Sequence, residues 1–167
     1  MRYYFFVCIL LTTLSVVNGI PLNKRAALFK PCDSTTPTLD ITIDPDPPIP
    51  GKTSTFTFKG KLADYADTGS FLKVIFVDPI TLDDVNDPNA RYVQNLCTIP
   101  FAFCPTNDIS ISEDVPIPKV GMPADIIVGV TDASETKILA CAVSAPIGPG
   151  APSPTLKFLK DKTFSEW

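Results

Sequence analysis

Histidine is missing from this chain of 167 residues. Ser-His-Asp and Cys-His chemistry are therefore excluded, together with every histidine-ligated zinc, copper or haem site. Basic charge is also scarce. The chain has 14 Lys and Arg against 18 Asp and Glu, a net charge of −4, whereas a nucleic-acid binder needs a basic surface for its backbone contacts. No stretch carries the three-to-four-residue apolar repeat of a long helix. Nucleophile elbows of the GxSxG type, phosphate-binding glycine loops and dinucleotide fingerprints do not occur, and no C-x-x-C pair offers thiolates to a metal. The sequence calls for no cofactor and no metal.

The first segment is apolar from about Tyr4 to Val17 after a single basic residue, Arg2, and closes on Val17-Asn18-Gly19. This layout reads as a secretory signal peptide over residues 1–19. A run of about 14 apolar residues is short for a membrane span, which wants about 20. Residues 20–25 end in the dibasic pair Lys24-Arg25, a possible propeptide cleavage site. Cutting there removes Arg2, Lys24 and Arg25, leaving 11 basic residues against 18 acidic ones, a net charge of −7. The expected location is the secretory pathway, then an extracellular or vacuole-like, lysosome-like lumen.

Cys8 leaves with the leader, so Cys32, Cys97, Cys104 and Cys141 remain. An even set in an exported chain reads as two disulfides, for which three pairings exist. Cys97 and Cys104 are seven apart around the turn-like IPFAFCP, a spacing that suits a local clamp. Cys32 and Cys141 would then tie the start of the domain to its last strand.

Between Ala26 and Ser144 alternating apolar and polar residues dominate. Leu39, Ile41 and Ile43 share one face of TLDITID. Phe56 and Phe58 share one face of KTSTFTFKG. Leu72, Val74 and Phe76 alternate against Phe71, Ile75 and Val77. Residues 91–97, DISISEDV, PADIIVGVTD and ETKILACAVS supply four more strands, with Ile126, Val128 and Val130 on one face of the third and Leu139, Cys141 and Val143 on one face of the fourth. Seven short strands between Pro, Gly, Asp and Asn turns predict an immunoglobulin-like sandwich of two antiparallel sheets. The Cys…Trp…Cys signature of true immunoglobulin domains is absent, since the single Trp is Trp167. Residues 145–167 read as a Pro/Gly-rich connector and a tail with a few apolar residues.

Carboxylates keep a glycosidase-type hydrolase open, since two positioned acids suffice. Asp83, Asp84 and Asp87 lie in one loop and are the nearest approach to a calcium site, but the spacing of a calcium loop is missing, so an acidic surface loop is expected. The large apolar residues say more. Phe56, Phe58, Phe71, Phe76, Phe101 and Phe103 lie in or beside strands, and the FAF of IPFAFCP stands in a loop. An apolar cavity between rigid sheets is the ordinary design of a lipid carrier.

Several segments together resemble a known family: FKPCD at Phe29–Asp33, DPDPPIPGK at Asp44–Lys52 and FTFKG at Phe56–Gly60, followed by Leu96-Cys97, Phe103–Pro105, VPIP at Val115–Pro118 and LACA at Leu139–Ala142. In order and spacing they resemble the MD-2-related lipid-recognition domain, in the Niemann–Pick type C2-like branch and nearest the fungal phosphatidylglycerol/phosphatidylinositol transfer proteins. The resemblance covers about residues 28–143. It implies Cys32–Cys141 and Cys97–Cys104 pairing and an inter-sheet cavity holding one phospholipid or sterol. It also implies a monomer that touches membranes transiently and works in sterol or phospholipid transport without catalysis. Sterol-carrying members usually have a third small disulfide after the first strand, where this chain has only DPDPPIPG.

By position, Phe56, Phe58, Val74, Phe76, Ile126, Val128 and Val143 are the expected cavity wall, and Ile99, Pro100, Phe101 and Phe103 the entrance. Lys52, Lys59, Lys61 and Lys73 are available for acidic head groups. The competing readings are a sandwich with a filled core that binds carbohydrate or protein, and the carboxylate hydrolase.

Overall fold

The computed structural model describes residues 27–81, 83–119 and 124–144. The expected leader (1–19), the dibasic site (20–25) and the connector and tail (145–167) lie outside the described residues. Eight strands follow in order: β1 Phe29–Pro31, β2 Asp40–Asp44, β3 Thr53–Ala66, β4 Phe71–Val77, β5 Arg91–Asn95, β6 Thr106–Pro116, β7 Asp125–Thr131 and β8 Ile138–Ser144. They form two antiparallel sheets, one of five strands in the order β1-β8-β7-β4-β5 and one of three in the order β2-β3-β6. The expected all-β sandwich of two antiparallel sheets is the observed fold.

The count is eight strands rather than seven because β1 left no pattern to read. It has three residues, one of them Pro31, which lacks the N–H a ladder needs. It pairs at the sheet edge with β8, Phe29 opposite Ser144 and Pro31 opposite Ala142. The next residue, Cys32, is bonded to Cys141 of β8.

Period-2 alternation sets the two facing surfaces. Leu72, Val74 and Phe76 of β4, with Ile126, Val128 and Val130 of β7, turn toward the three-stranded sheet. That sheet answers with Ile41 and Ile43 of β2, Phe56 and Phe58 of β3, and Ile109 and Ile111 of β6, all in one buried cluster. The Phe56 and Phe58 rings stack with centroids 6.0 Å apart. The outer face of the three-stranded sheet is polar: Thr55 Oγ1 donates to Asp114 at 2.7 Å, and the Thr57 and Ser112 hydroxyls share a 2.8 Å hydrogen bond.

The outer face of the five-stranded sheet carries a second, smaller cluster of Cys32, Ile75, Val77, Ile127 and Cys141, with Ile138 and Val143 packed against it. Val143 was expected on the cavity wall and stands on this opposite face instead. The reason is a bulge in β8: Val130 pairs with Ala140 but Thr131 pairs with Ile138, so Leu139 is an extra residue. Leu139 still reaches the inner cluster. The shift then places Ala140 and Ala142 inside, and Cys141 and Val143 outside.

One turn needs its glycine. Gly51 has φ of 71°, and a Cβ there would lie 2.8 Å from Cγ of Lys119. Its N–H donates to the Ile117 and Pro118 carbonyls, tying the proline-rich turn after β2 to the end of β6.

Candidate functional site

The strand directions give the sandwich two distinct ends. The turns 45–52 and 78–90 lie at one end, together with the described termini Ala27 and Ser144. At the other lie the turns 67–70 and 132–137, with the loop from Leu96 to Pro105 that joins β5 to β6.

That loop is built from its sequence upward. Asn95 caps a single 3-10 turn at Leu96–Thr98, its Oδ1 accepting from the Cys97 N–H at 3.0 Å. The Asn95 Nδ2 donates to the Thr68 carbonyl at 2.8 Å, and Leu96 N–H to the Ser70 carbonyl at 2.8 Å, which fixes the loop to the β3–β4 turn. The Cys97–Cys104 disulfide closes it. Leu96 and Ile99 are buried in the inter-sheet cluster and Ala102 packs against it. Phe101 and Phe103 point the opposite way, each 81% exposed. Phe101 also holds φ at 69°, a left-handed conformation that a bulky residue rarely adopts.

The expected entrance therefore divides. Phe101, Phe103 and the exposed Pro100 form an outward rim, whereas Ile99 is a buried plug beneath it. Ile99 leaves the rim because its N–H and carbonyl bond within the turn, to Leu96 O at 3.2 Å and from Ala102 N at 3.1 Å, which turns its side chain inward. Of the expected wall, Phe56, Phe58, Val74, Phe76, Ile126 and Val128 are brought together on the facing inner surfaces, all fully buried. Val143 is not among them.

The lysines also divide. Lys52, Lys59 and Lys61 are exposed. Lys73 is 2% exposed on the outer face of the five-stranded sheet, its Nζ 2.5 Å from Glu135 Oε2, and so is not placed to meet a head group.

The sequence reading missed a polar seam along one side of the sandwich. β5 and β6 are edge strands of their respective sheets. Tyr92 stands opposite Val74 and Gln94 opposite Leu72, so both face inward from β5. Glu113 stands opposite Phe56 and faces inward from β6. The Tyr92 hydroxyl donates to Glu113 Oε2 at 2.9 Å, joining the two sheets. Burial, and then the Glu113 carboxylate, push the phenol above its ordinary range. A signal was present in the sequence: in Ile109-Ser110-Ile111-Ser112-Glu113-Asp114-Val115 a carboxylate takes an apolar turn of the alternation.

At the far end an open cleft of about 540 Å³ lies along residues 84–91. Its carboxylates are engaged. Asp84 pairs with Arg91, Asp87 Oδ1 accepts from Asn89 N–H at 2.9 Å, and Asp87 Oδ2 accepts from Lys119 N–H at 2.8 Å. Among the described residues no three Cys, Asp or Glu side chains are grouped to hold a metal ion.

Fold and site thus define a disulfide-closed β-sandwich with an aromatic rim at one end and a polar seam along one edge. Neither a family model nor a curated protein matches this sequence.

Proposed function

We propose that the protein is a lipid carrier of the kind represented by the MD-2-related lipid-recognition domains, in their Niemann–Pick type C2-like branch. It takes one phospholipid, such as phosphatidylglycerol or phosphatidylinositol, or one sterol between its sheets and moves it between membranes. It makes and breaks no covalent bond. Its setting is the secretory pathway or an extracellular or vacuolar lumen, where disulfides persist. It works as a monomer with transient membrane contact.

Phe101 and Phe103 carry this reading. Leaving a Phe side chain in water forgoes about 1.5–3 kcal/mol relative to burial, and the left-handed backbone at Phe101 adds to that cost. Stability of the sandwich does not account for two such residues on a clamped loop. A bilayer surface does, since both rings gain there what the fold withholds. The inner wall suits the same ligand: Phe56, Phe58, Phe76 and Val74 bring only carbon to the facing buried surfaces, and a tail drawn between the sheets gains about 25 cal/mol for each Å² of its own surface removed from water.

Native mass spectrometry of protein secreted by its own host, followed by lipid extraction, tests the carrier directly; a lipid-free protein that also takes nothing from phospholipid or sterol vesicles overturns it. The double variant Phe101→Asp/Phe103→Asp is expected to keep its melting temperature, because both rings are exposed, and to transfer lipid between vesicles at least about tenfold more slowly, by loss of the membrane contact. Undiminished transfer by the folded variant removes the rim from the mechanism.

A further inference from the structure

The polar seam stands apart from the rim and from the carbon-lined wall, and structural closure alone does not explain its chemistry. A sandwich edge can be closed by apolar side chains, as Ile109, Ile111 and Val115 do elsewhere on the inner side of β6. Here that side carries a carboxylate. Tyr92 occupies Glu113 Oε2, and no hydrogen bond to Glu113 Oε1 is found among the described residues. Gln94 faces inward two residues along β5, its Nε2 donating to Thr98 Oγ1 at 2.8 Å. A third polar group faces the same interior. Ser54 is 1% exposed on the inner side of β3, two residues from Phe56, and its hydroxyl has no partner among the described residues. Ser54 pairs with Val115 and Phe56 with Glu113, so the unpartnered hydroxyl is a diagonal neighbour of the carboxylate.

We infer that Glu113, held in place by Tyr92, is the specificity-determining acceptor for the lipid's polar end, and that it selects a neutral lipid alcohol over an anionic head group. This inference rests on the carrier reading and narrows its ligand. A carboxylate can accept several hydrogen bonds and donates none. A ligand hydroxyl donates to Glu113, and the Ser54 hydroxyl can bond to the same polar end. A phosphate brought to the same place offers another acceptor and a like charge, in a setting partly withdrawn from water where repulsion is strong. Tyr92 is a positioning residue: its hydrogen bond fixes the carboxylate at the edge.

The test uses two pyrene-labelled lipids with identical acyl chains, a diacylglycerol ending in a hydroxyl and a phosphatidylglycerol carrying the phosphate. Uptake from vesicles is measured for the full chain and for Glu113→Gln, whose amide oxygen still accepts from Tyr92 and so keeps the structural bond. The wild-type protein is expected to take diacylglycerol about tenfold better. Glu113→Gln should bring that ratio close to one, chiefly through better uptake of the phospholipid, with an unchanged melting temperature. Tyr92→Phe, which frees the carboxylate but leaves its charge, should weaken diacylglycerol uptake while still rejecting the phospholipid. If both lipids are taken up and the ratio is the same in wild type and Glu113→Gln, the assignment of Glu113 is overturned and the carrier stands. If neither lipid is taken up by any of the proteins and sterol vesicles load none of them either, the carrier reading itself falls.

Discussion

Asp125 opens β7 on the outer face of the five-stranded sheet, opposite Val77 and only 2% exposed. Its Oδ2 has no hydrogen-bond partner among the described residues. Desolvation, helped by the neighbouring charge of Asp78, pushes its carboxyl from 3.8 up to about 6. Below about pH 3.8 folded and unfolded chains both hold this proton, and the residue costs the fold nothing. Between 3.8 and about 6 the folded chain keeps a proton that the unfolded chain has released, so stability falls as pH rises. Above 6 the full cost remains, about 2–3 kcal/mol at 1.36 kcal/mol per unit. Asp125→Asn is therefore expected to raise stability by roughly that amount at pH 7 and to leave it nearly unchanged at pH 4. Urea midpoints at the two pH values check this, and an equal shift at both would sink it. A chain without histidine thus still carries a group that titrates in the mildly acidic range.

At the scale of the element, the β5–β6 loop matters most, because one short segment does two opposed things. Leu96, Ile99 and Ala102 anchor it in the core while Phe101 and Phe103 are turned out. The Cys97–Cys104 bond holds that division in place. Replacing both by Ala removes a short closure, worth about 2.5 kcal/mol in the chain-entropy picture. The global loss is expected to be no larger, while hydrogen exchange in residues 96–105 rises sharply and vesicle transfer slows. Protection of the loop equal to wild type would show that the turn's own hydrogen bonds suffice.

The same scale shows what could be read in advance. β2 announced itself by alternation and β4 and β7 as short, largely apolar runs between turns, and the facing wall followed at every position but one. Val143 failed because a bulge at Leu139 changes the phase, and nothing in ILACAVS marks which residue is extra. β3 runs on through Lys61–Ala66, where the burial alternation breaks at the exposed Asp64. The aromatic loop was visible as aromatic, yet its division into plug and rim depends on turn hydrogen bonds that no periodicity encodes. Glu113 was legible, as a charge in an apolar period, but its partner Tyr92 lies on the other sheet, where only the packed fold brings the two together.

At the scale of the whole molecule, the proposed carrier gives the two ends of the sandwich different duties. The described termini Ala27 and Ser144 lie at the end opposite the aromatic rim and so stand clear of it. At the edge of the five-stranded sheet β1 is a weak strand, contributing only three residue pairs to β8. The Cys32–Cys141 bond pins β1 to the middle of β8, aided by the Cys141 N–H donating to the Pro37 carbonyl at 3.0 Å. It spans 109 residues of sequence, and a loop near that length restrains the unfolded chain by about 4.7 kcal/mol in the chain-entropy picture. A domain's net stability is only about 5–15 kcal/mol, so this one bond is comparable to much of the total. Cys32→Ala/Cys141→Ala is accordingly expected to lower stability by about 4–5 kcal/mol, clearly more than loss of the loop clamp. Both cysteines are almost fully buried in the outer cluster, so lost packing adds to the entropic part. Denaturant midpoints of the two double variants, compared under one condition, decide the matter. If removing the long-range bond costs no more than removing the short one, β1 is held to β8 by its pairing alone.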